Sequence, residues 1–209
     1  MLAFSRFTSL CILNRKEIFM RKLILFGDSI TAGATHGYPT PVFSNKVRQA
    51  LGDLPVELLN RGVLGDDTIG GLARIQSDVL NNDPDLVVIF FGTNDVQVPQ
   101  MTAAKFQTNL ESMLHQIGPK KCILVTPGIV GPTRVEHRPL ASLKEYAQVV
   151  LNVAAQFDLP VVNWFATASQ HDPAELLQSD DLHYAPHAYD LLLADLAPLL
   201  RQALNTTEK

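Results

Sequence analysis

Cysteine is scarce in this chain, since its 209 residues contain only Cys11 and Cys122. Neither cysteine belongs to a disulfide framework or to a zinc motif of closely spaced ligands. Cys122 falls inside the apolar run at residues 121–125, where a cysteine behaves as a small hydrophobic side chain. This usage suits a reducing compartment, so we expect a cytoplasmic protein, with secretion as the less favoured alternative.

The chain also has no excess of positive charge. Lys and Arg total 17 against 21 Asp and Glu, which gives a formal net charge of −4. Basic residues gather only in short pairs such as Lys120 and Lys121. Proteins that bind nucleic acids present a basic patch or stripe, so we expect no nucleic-acid partner.

Long apolar runs are missing as well. None reaches the roughly 20 residues that a helix needs to cross a bilayer, so we expect no integral membrane segment. An apolar stretch near the start is interrupted by Arg6, and the polar and charged residues at 14–17 stand where an export signal would have a cleavage site of small residues. We therefore predict an N-terminal extension at residues 1–19 and one domain at residues 20–209.

Apolar stretches of strand length alternate with longer amphipathic stretches from residue 21 onward. Strands are predicted at residues 22–26, 56–60, 86–91, 122–126 and 160–163. Helices are predicted at residues 41–51, 68–80, 102–117, 140–157 and 186–204. This alternation is typical of parallel βαβ units and predicts an α/β fold: a three-layer α/β/α sandwich around a five-stranded parallel sheet, flavodoxin-like in kind.

Polar segments follow the predicted strands, at the sheet edge where ligands bind in such folds. Ser29 comes just after the first strand, and His183 lies in a polar loop after the last one. A serine hydroxyl becomes a useful nucleophile when an imidazole takes its proton and a carboxylate orients that imidazole. Asp180 lies three residues before His183, so one turn brings both side chains to the same side, which Asp181 achieves less naturally.

Four segments of the chain resemble the blocks of the SGNH family of GDSL-type esterases and lipases, whose name refers to Ser, Gly, Asn and His. They are residues 26–30, 60–68, 91–95 and 180–183. The resemblance covers most of the chain from residue 21 onward. It implies Ser29 as nucleophile, His183 as base and Asp180 as its partner. It also implies an oxyanion hole formed by Ser29, Gly65 and Asn94.

These residues also have purely structural interpretations. Asp28 and Ser29 are good helix caps, and we expect Asp28 to shape this turn by accepting backbone hydrogen bonds. Gly65 suits a turn with positive φ. Asn94 suits a loop in which the side chain bonds its own backbone.

The long loop at residues 127–139 offers two further candidates, Arg134 and His137. Loops at this edge commonly shape substrate pockets, so both are candidate substrate-binding residues, with a solvated loop as the alternative. His187 lies four residues after His183, but no third ligand stands at a useful spacing, and zinc sites need at least three protein ligands. We expect neither a metal nor an organic cofactor.

The resemblance implies a serine ester hydrolase that forms an acyl-serine intermediate on a small-molecule acyl ester. Carboxylesterase, acetylesterase, lysophospholipase and thioesterase activities all stay open, with short- to medium-chain acyl groups expected. The alternatives are acyl transfer by the same triad and a non-catalytic flavodoxin-like binding module. One position departs from the family, because Ala188 stands where a glycine is typical, and we expect this to alter packing more than chemistry. The sequence leaves the oligomeric state open.

Overall fold

Five parallel strands form one sheet in the order β2-β1-β3-β4-β5 within residues 20–205, the part of the chain that the computed structural model describes. The strands are β1 (Arg21–Gly27), β2 (Val56–Gly62), β3 (Leu86–Phe90), β4 (Cys122–Val125) and β5 (Val161–Val162). The extension predicted at residues 1–19 lies outside the described residues. The division at residue 20 therefore stays a prediction.

Helices cover both faces of the sheet. They are α1 (Val42–Leu51), α2 (Thr68–Asp78), α3 (Ala103–Ile117), α4 (Leu140–Phe157), α5 (Trp164–Ala168), α6 (Pro173–Leu176) and α7 (Pro186–Asn205). One hydrophobic core joins α1, α5, α6 and α7 to the sheet, and a second joins α2, α3 and α4 to its other face. The three-layer sandwich predicted from the sequence is thereby confirmed.

Strand β3 shows why the sheet is covered on both faces. Leu86, Val88 and Phe90 pack in the core beneath α1 and α7. Val87 and Ile89 point the other way, into the core beneath α2, α3 and α4. All five side chains are buried, as expected for an apolar strand in a parallel sheet.

The strand order places a switch point at β1, because its two neighbours, β2 and β3, lie on opposite sides of it. Gly27 pairs with Gly62 on one side and with Phe90 on the other, so the three strands end at the same level. The loops that follow these strands therefore begin side by side. In open α/β sheets this is where ligands bind.

Candidate active site

Ser29 lies in a tight turn that begins directly after β1. Asp28 Oδ1 accepts a hydrogen bond of 2.8 Å from the Ile30 backbone N–H, and the Asp28 carbonyl accepts one from Ala32. Tyr189, on α7, donates its hydroxyl to the Ile30 carbonyl at 2.8 Å. These contacts hold the turn from both sides, and they leave Ser29 only 5% exposed.

The structure brings Ser29, His183 and Asp180 together, although 154 residues separate Ser29 from His183. His183 Nε2 lies 3.0 Å from Ser29 Oγ, and His183 Nδ1 lies 2.5 Å from Asp180 Oδ2. A proton on Nδ1, donated to the carboxylate, leaves Nε2 as the acceptor for the serine hydroxyl. The three groups thus form one chain of hydrogen bonds.

The Asp180 carboxylate is held by the loop that carries it. Its Oδ1 accepts backbone N–H groups from Leu182 at 3.1 Å and from His183 at 3.0 Å. Partial burial raises the pKa of Asp180, but these hydrogen bonds and the His183 ring outweigh burial, and the pKa lies below its usual value. The carboxylate is therefore ionised at neutral pH, and it can accept the Nδ1–H of the His183 ring.

The loop at residues 127–139 supports the loop that carries Asp180. Arg134 Nε donates to the Asp180 carbonyl at 2.9 Å, and the Thr133 N–H donates to Asp181 Oδ2 at 3.0 Å. The Gly131 N–H donates to the Asp181 carbonyl at 2.8 Å. The neighbouring aspartates thus have different partners, the His183 ring for Asp180 and the supporting loop for Asp181.

Gly65 and Asn94 lie in the loops that follow β2 and β3. Gly65 has φ +74°, and a Cβ added there would meet no atom within 4 Å. Asn94 is buried and donates Nδ2 to the Asp66 carbonyl at 2.8 Å. Within residues 20–205, the backbone N–H groups of Ser29 and Gly65 donate to no protein acceptor. A backbone N–H without a protein acceptor can donate a hydrogen bond to an oxygen atom on which negative charge develops.

Arg138, which no pattern in the sequence singled out, is only 6% exposed. Its Nε donates to the Thr93 carbonyl at 3.0 Å and its Nη2 to Asn94 Oδ1 at 2.8 Å. His137, next to it, is exposed, and Arg134 is half-buried. No periodic pattern distinguishes these three side chains in a loop, because their directions depend on the path of the backbone. The role of Arg134 and His137 in substrate binding stays a prediction.

A second arginine, Arg74 on α2, holds the loop after β2. Its Nε donates to Asp66 Oδ2 at 2.7 Å, and its Nη2 donates to the Gly27 carbonyl at 2.9 Å. The guanidinium lies 4.5 Å from the centre of the Phe26 ring, within the range of a cation–π contact. Arg74 thereby ties the end of β1 to the residue that follows Gly65.

Two buried carboxyl groups lie close to these loops. Burial raises the pKa of Asp28 to about 7, against the opposing hydrogen bond from Ile30. Burial also raises the pKa of Asp95 to about 6, although Thr68 donates to Asp95 Oδ1 through both its N–H and its hydroxyl. Both groups serve the loops as hydrogen-bond acceptors, and neither belongs to the Ser29–His183–Asp180 chain.

The profile of the GDSL-like Lipase/Acylhydrolase family matches residues 25–191, a span that includes every residue of this site. The chain belongs to this family. It is accordingly a carboxylic ester hydrolase. The resemblance noted in the sequence is confirmed, while the roles of the individual side chains stay a prediction.

Known proteins resemble the chain over nearly its whole length. A lipase/acylhydrolase from Enterococcus faecalis is 38% identical, with a TM-score of 0.83, and the match covers 91% of this chain and 100% of that one. Esterase TesA from Pseudomonas aeruginosa is 28% identical over 197 residues, which cover 92% of this chain and 94% of that protein. The human isoamyl acetate-hydrolyzing esterase 1 homolog is 27% identical over 213 residues, with coverage of 88% and 83%.

Residues 20–205 include no helix that is both long and apolar enough to span a membrane. The same residues contain no group of three or more His, Cys, Asp or Glu side chains that could hold a metal ion.

Proposed function

We propose that this esterase hydrolyses short- to medium-chain acyl esters through an acyl intermediate on Ser29. The observation that carries the proposal is the distance of 3.0 Å between Ser29 Oγ and His183 Nε2. This distance is within hydrogen-bond reach, as general-base activation of a nucleophile requires. Asp180, on the far side of the same ring, orients the imidazole and stabilises the positive charge that it acquires.

In the acylation step, Ser29 Oγ attacks the ester carbonyl carbon while His183 Nε2 accepts the hydroxyl proton. The C–O bond to the alcohol then breaks, and His183 returns the proton to the leaving alkoxide. The products of this step are a free alcohol and an acyl-serine ester. No redox partner is needed, since one ester is exchanged for another.

In the deacylation step, water attacks the acyl-serine ester and His183 accepts a proton from that water. The bond to Ser29 Oγ breaks, and the proton goes back to the serine. A carboxylic acid leaves and the enzyme is restored. The same three side chains thus serve both halves of the cycle.

Three N–H donors would stabilise the oxyanion that forms in both steps. They are the backbone N–H groups of Ser29 and Gly65 and the Asn94 side-chain amide. The amide has two N–H bonds, and its single protein acceptor, the Asp66 carbonyl, leaves one free for substrate. Donors that are already in position stabilise the charge that develops in the transition state, typically by about 3 kcal/mol each.

The surroundings of Gly65 support a substrate with a modest apolar portion. Val63, Leu64 and Ile69 flank this loop and are 42%, 42% and 48% exposed. Such a small apolar surface suits a short or medium acyl chain. The human relative is named as a homolog of an isoamyl acetate-hydrolyzing esterase, and acetate is a short acyl group of this class.

The proposal is tested by replacing Ser29 with alanine, with Ser44→Ala as the matched control. The two serines are equally buried, at 5% and 6% exposure, but Ser44 contacts Asn60 and not the His183 ring. On nitrophenyl esters of increasing chain length, we expect Ser29→Ala to lower kcat by about 10⁴-fold or more. Ser44→Ala should stay close to the wild type.

A fluorophosphonate probe should label the wild type at Ser29, as read by peptide mass spectrometry, and should not label Ser29→Ala. Folded wild-type protein that resists the probe would contradict an activated nucleophile at Ser29. Adding an alcohol acceptor to the assay separates hydrolysis from transfer. Acyl transfer that exceeds release of the free acid would make the acyltransferase alternative the correct one.

A further inference from the structure

Arg138 contacts the proposed oxyanion donor Asn94 from the side opposite Asp66. It is buried, and its fork of N–H groups meets two acceptors, the Thr93 carbonyl and Asn94 Oδ1, at 3.0 and 2.8 Å. A buried guanidinium is costly unless its donors are satisfied. Both of these hydrogen bonds go to the segment that carries Asn94.

The orientation of an asparagine amide decides what it offers a substrate. In one orientation the NH₂ group faces the oxyanion, and in the other the carbonyl oxygen does, which would repel it. Arginine has five donors and no acceptor, so only Oδ1 can face Arg138. The Asp66 carbonyl can only accept, so only Nδ2 can face Asp66. Both neighbours thus select the same orientation.

We propose that Arg138 is a positioning residue for ester hydrolysis, which fixes the Asn94 amide so that its NH₂ group faces the developing oxyanion. This inference rests on the proposed function, because it assigns Asn94 to the oxyanion hole. Arg138 does not touch the reacting atoms; it acts through Asn94.

The rest of the hydrogen-bond network agrees with this role. Asn94 bridges two buried or half-buried arginines, since it bonds Arg138 directly and reaches Arg74 through Asp66. Arg138 is itself held by a helical turn, in which its N–H donates to the Arg134 carbonyl at 2.9 Å. The amide is therefore fixed between the Arg138 guanidinium and the Asp66 backbone carbonyl, and a substrate does not have to reorient it.

The test is a double-mutant cycle with Asn94→Ala. Arg138→Met keeps an apolar side chain of similar length and removes every donor, while Arg138→Lys keeps the charge but has a single donor nitrogen and cannot form the planar fork. In the wild-type background, we expect Arg138→Met to lower kcat by about 10- to 100-fold, with KM changed less than about 3-fold. Loss of an oxyanion donor weakens stabilisation of the transition state more than binding of the substrate. We therefore expect kcat to fall while KM changes little. Arg138→Lys should fall between the wild type and Arg138→Met.

In the Asn94→Ala background, the same arginine substitutions should cost less than about 3-fold, because the amide that they disturb is already gone. Arg201→Met, which removes an exposed arginine at the far end of α7, controls for the loss of a surface charge and should leave kcat unchanged.

A loss of kcat that is equal in both backgrounds would overturn the positioning role, as would an unchanged kcat in Arg138→Met. Thermal melts show whether each variant folds, and if Arg138→Met does not, Arg138→Lys in the two backgrounds decides the question alone. Fluorophosphonate labelling of wild-type Ser29 separates the two proposals. A labelled, active wild type with no coupling between Arg138 and Asn94 refutes only the role of Arg138.

Discussion

The loop before α7 carries two neighbouring aspartates that differ in their contacts and in their backbone conformation. Asp180 Oδ2 lies 2.5 Å from His183 Nδ1, whereas Asp181 Oδ2 accepts from the Thr133 N–H at 3.0 Å. Asp181 also has φ +59°, a left-handed conformation that Asp and Asn tolerate better than most residues. The backbone at Asp181 thus turns the chain and leaves Asp180 to face the imidazole.

At the residue scale, this difference predicts opposite outcomes for two identical substitutions. Asp180→Asn removes the charge that stabilises the imidazolium and favours the wrong tautomer, so kcat should fall on the order of 10³- to 10⁴-fold. Asp181→Asn keeps an acceptor for Thr133 and a residue suited to positive φ, so kcat should change less than about 3-fold. Steady-state assays on one nitrophenyl ester give both values, and equal losses would contradict the assignment of Asp180.

At the scale of elements, the turn that follows β2 presents the backbone N–H of Gly65 to the proposed oxyanion. Gly65, after β2, and Gly37, in the loop before α1, both have positive φ, +74° and +83°. At either position an added Cβ would meet no atom within 4 Å. The two glycines are therefore matched in conformation and in free space, and only Gly65 is a proposed oxyanion donor.

Because the two glycines match, the effects of replacing each of them with alanine can be compared directly. Gly65→Ala and Gly37→Ala should lower the free energy of unfolding by similar amounts, about 1 to 2 kcal/mol each, because an alanine is strained at positive φ. Only Gly65→Ala should also lower kcat, by about 10-fold or more, since a shifted turn misplaces its N–H. Urea unfolding and steady-state kinetics separate the two effects. A parallel fall of kcat in both variants would argue against a role for the Gly65 N–H.

At the scale of the whole molecule, the buried carboxyl groups couple folding to pH. The pKa values of Asp28 and Asp95 rise from 3.8 to about 7 and about 6 when the chain folds. Between about pH 4 and pH 7 the folded protein therefore holds protons that the unfolded chain has released. Stability falls as pH rises through this window, and the contribution of both groups is fully present only below it.

We therefore expect a higher melting temperature at pH 5.5 than at pH 8, measured by calorimetry at constant ionic strength. Asp85 and Asp180, whose pKa values are lowered, act in the opposite direction, but only below about pH 5, where the unfolded chain begins to bind protons at these residues. Asp28→Asn no longer titrates at residue 28, so the difference between the two pH values should shrink in that variant. A melting temperature that rises steadily toward pH 8 in the wild type would contradict the raised pKa values.

The sequence by itself determined the layers of this protein. Strand-length apolar runs must bury both faces, and a parallel connection needs a helix, so the alternating pattern left little choice of architecture. It also determined that Ser29, Gly65 and Asn94 follow strands, because each stands within a few residues of the end of a predicted strand. The short helices α5 and α6 went unpredicted, since five and four residues are too few to show helical periodicity.

Only the tertiary structure decided which side chains meet. The contact between Ser29 and His183 joins residues 154 apart, and that between Arg138 and Asn94 joins residues 44 apart. Arg138 could not be preferred to Arg134 or His137 from the sequence, because a loop residue has no fixed period that tells where its side chain points. The fold supplies that direction by holding the loop after β4 against the loop that follows β3 and the loop that precedes α7, and the hydrogen bonds of buried groups then admit few alternatives.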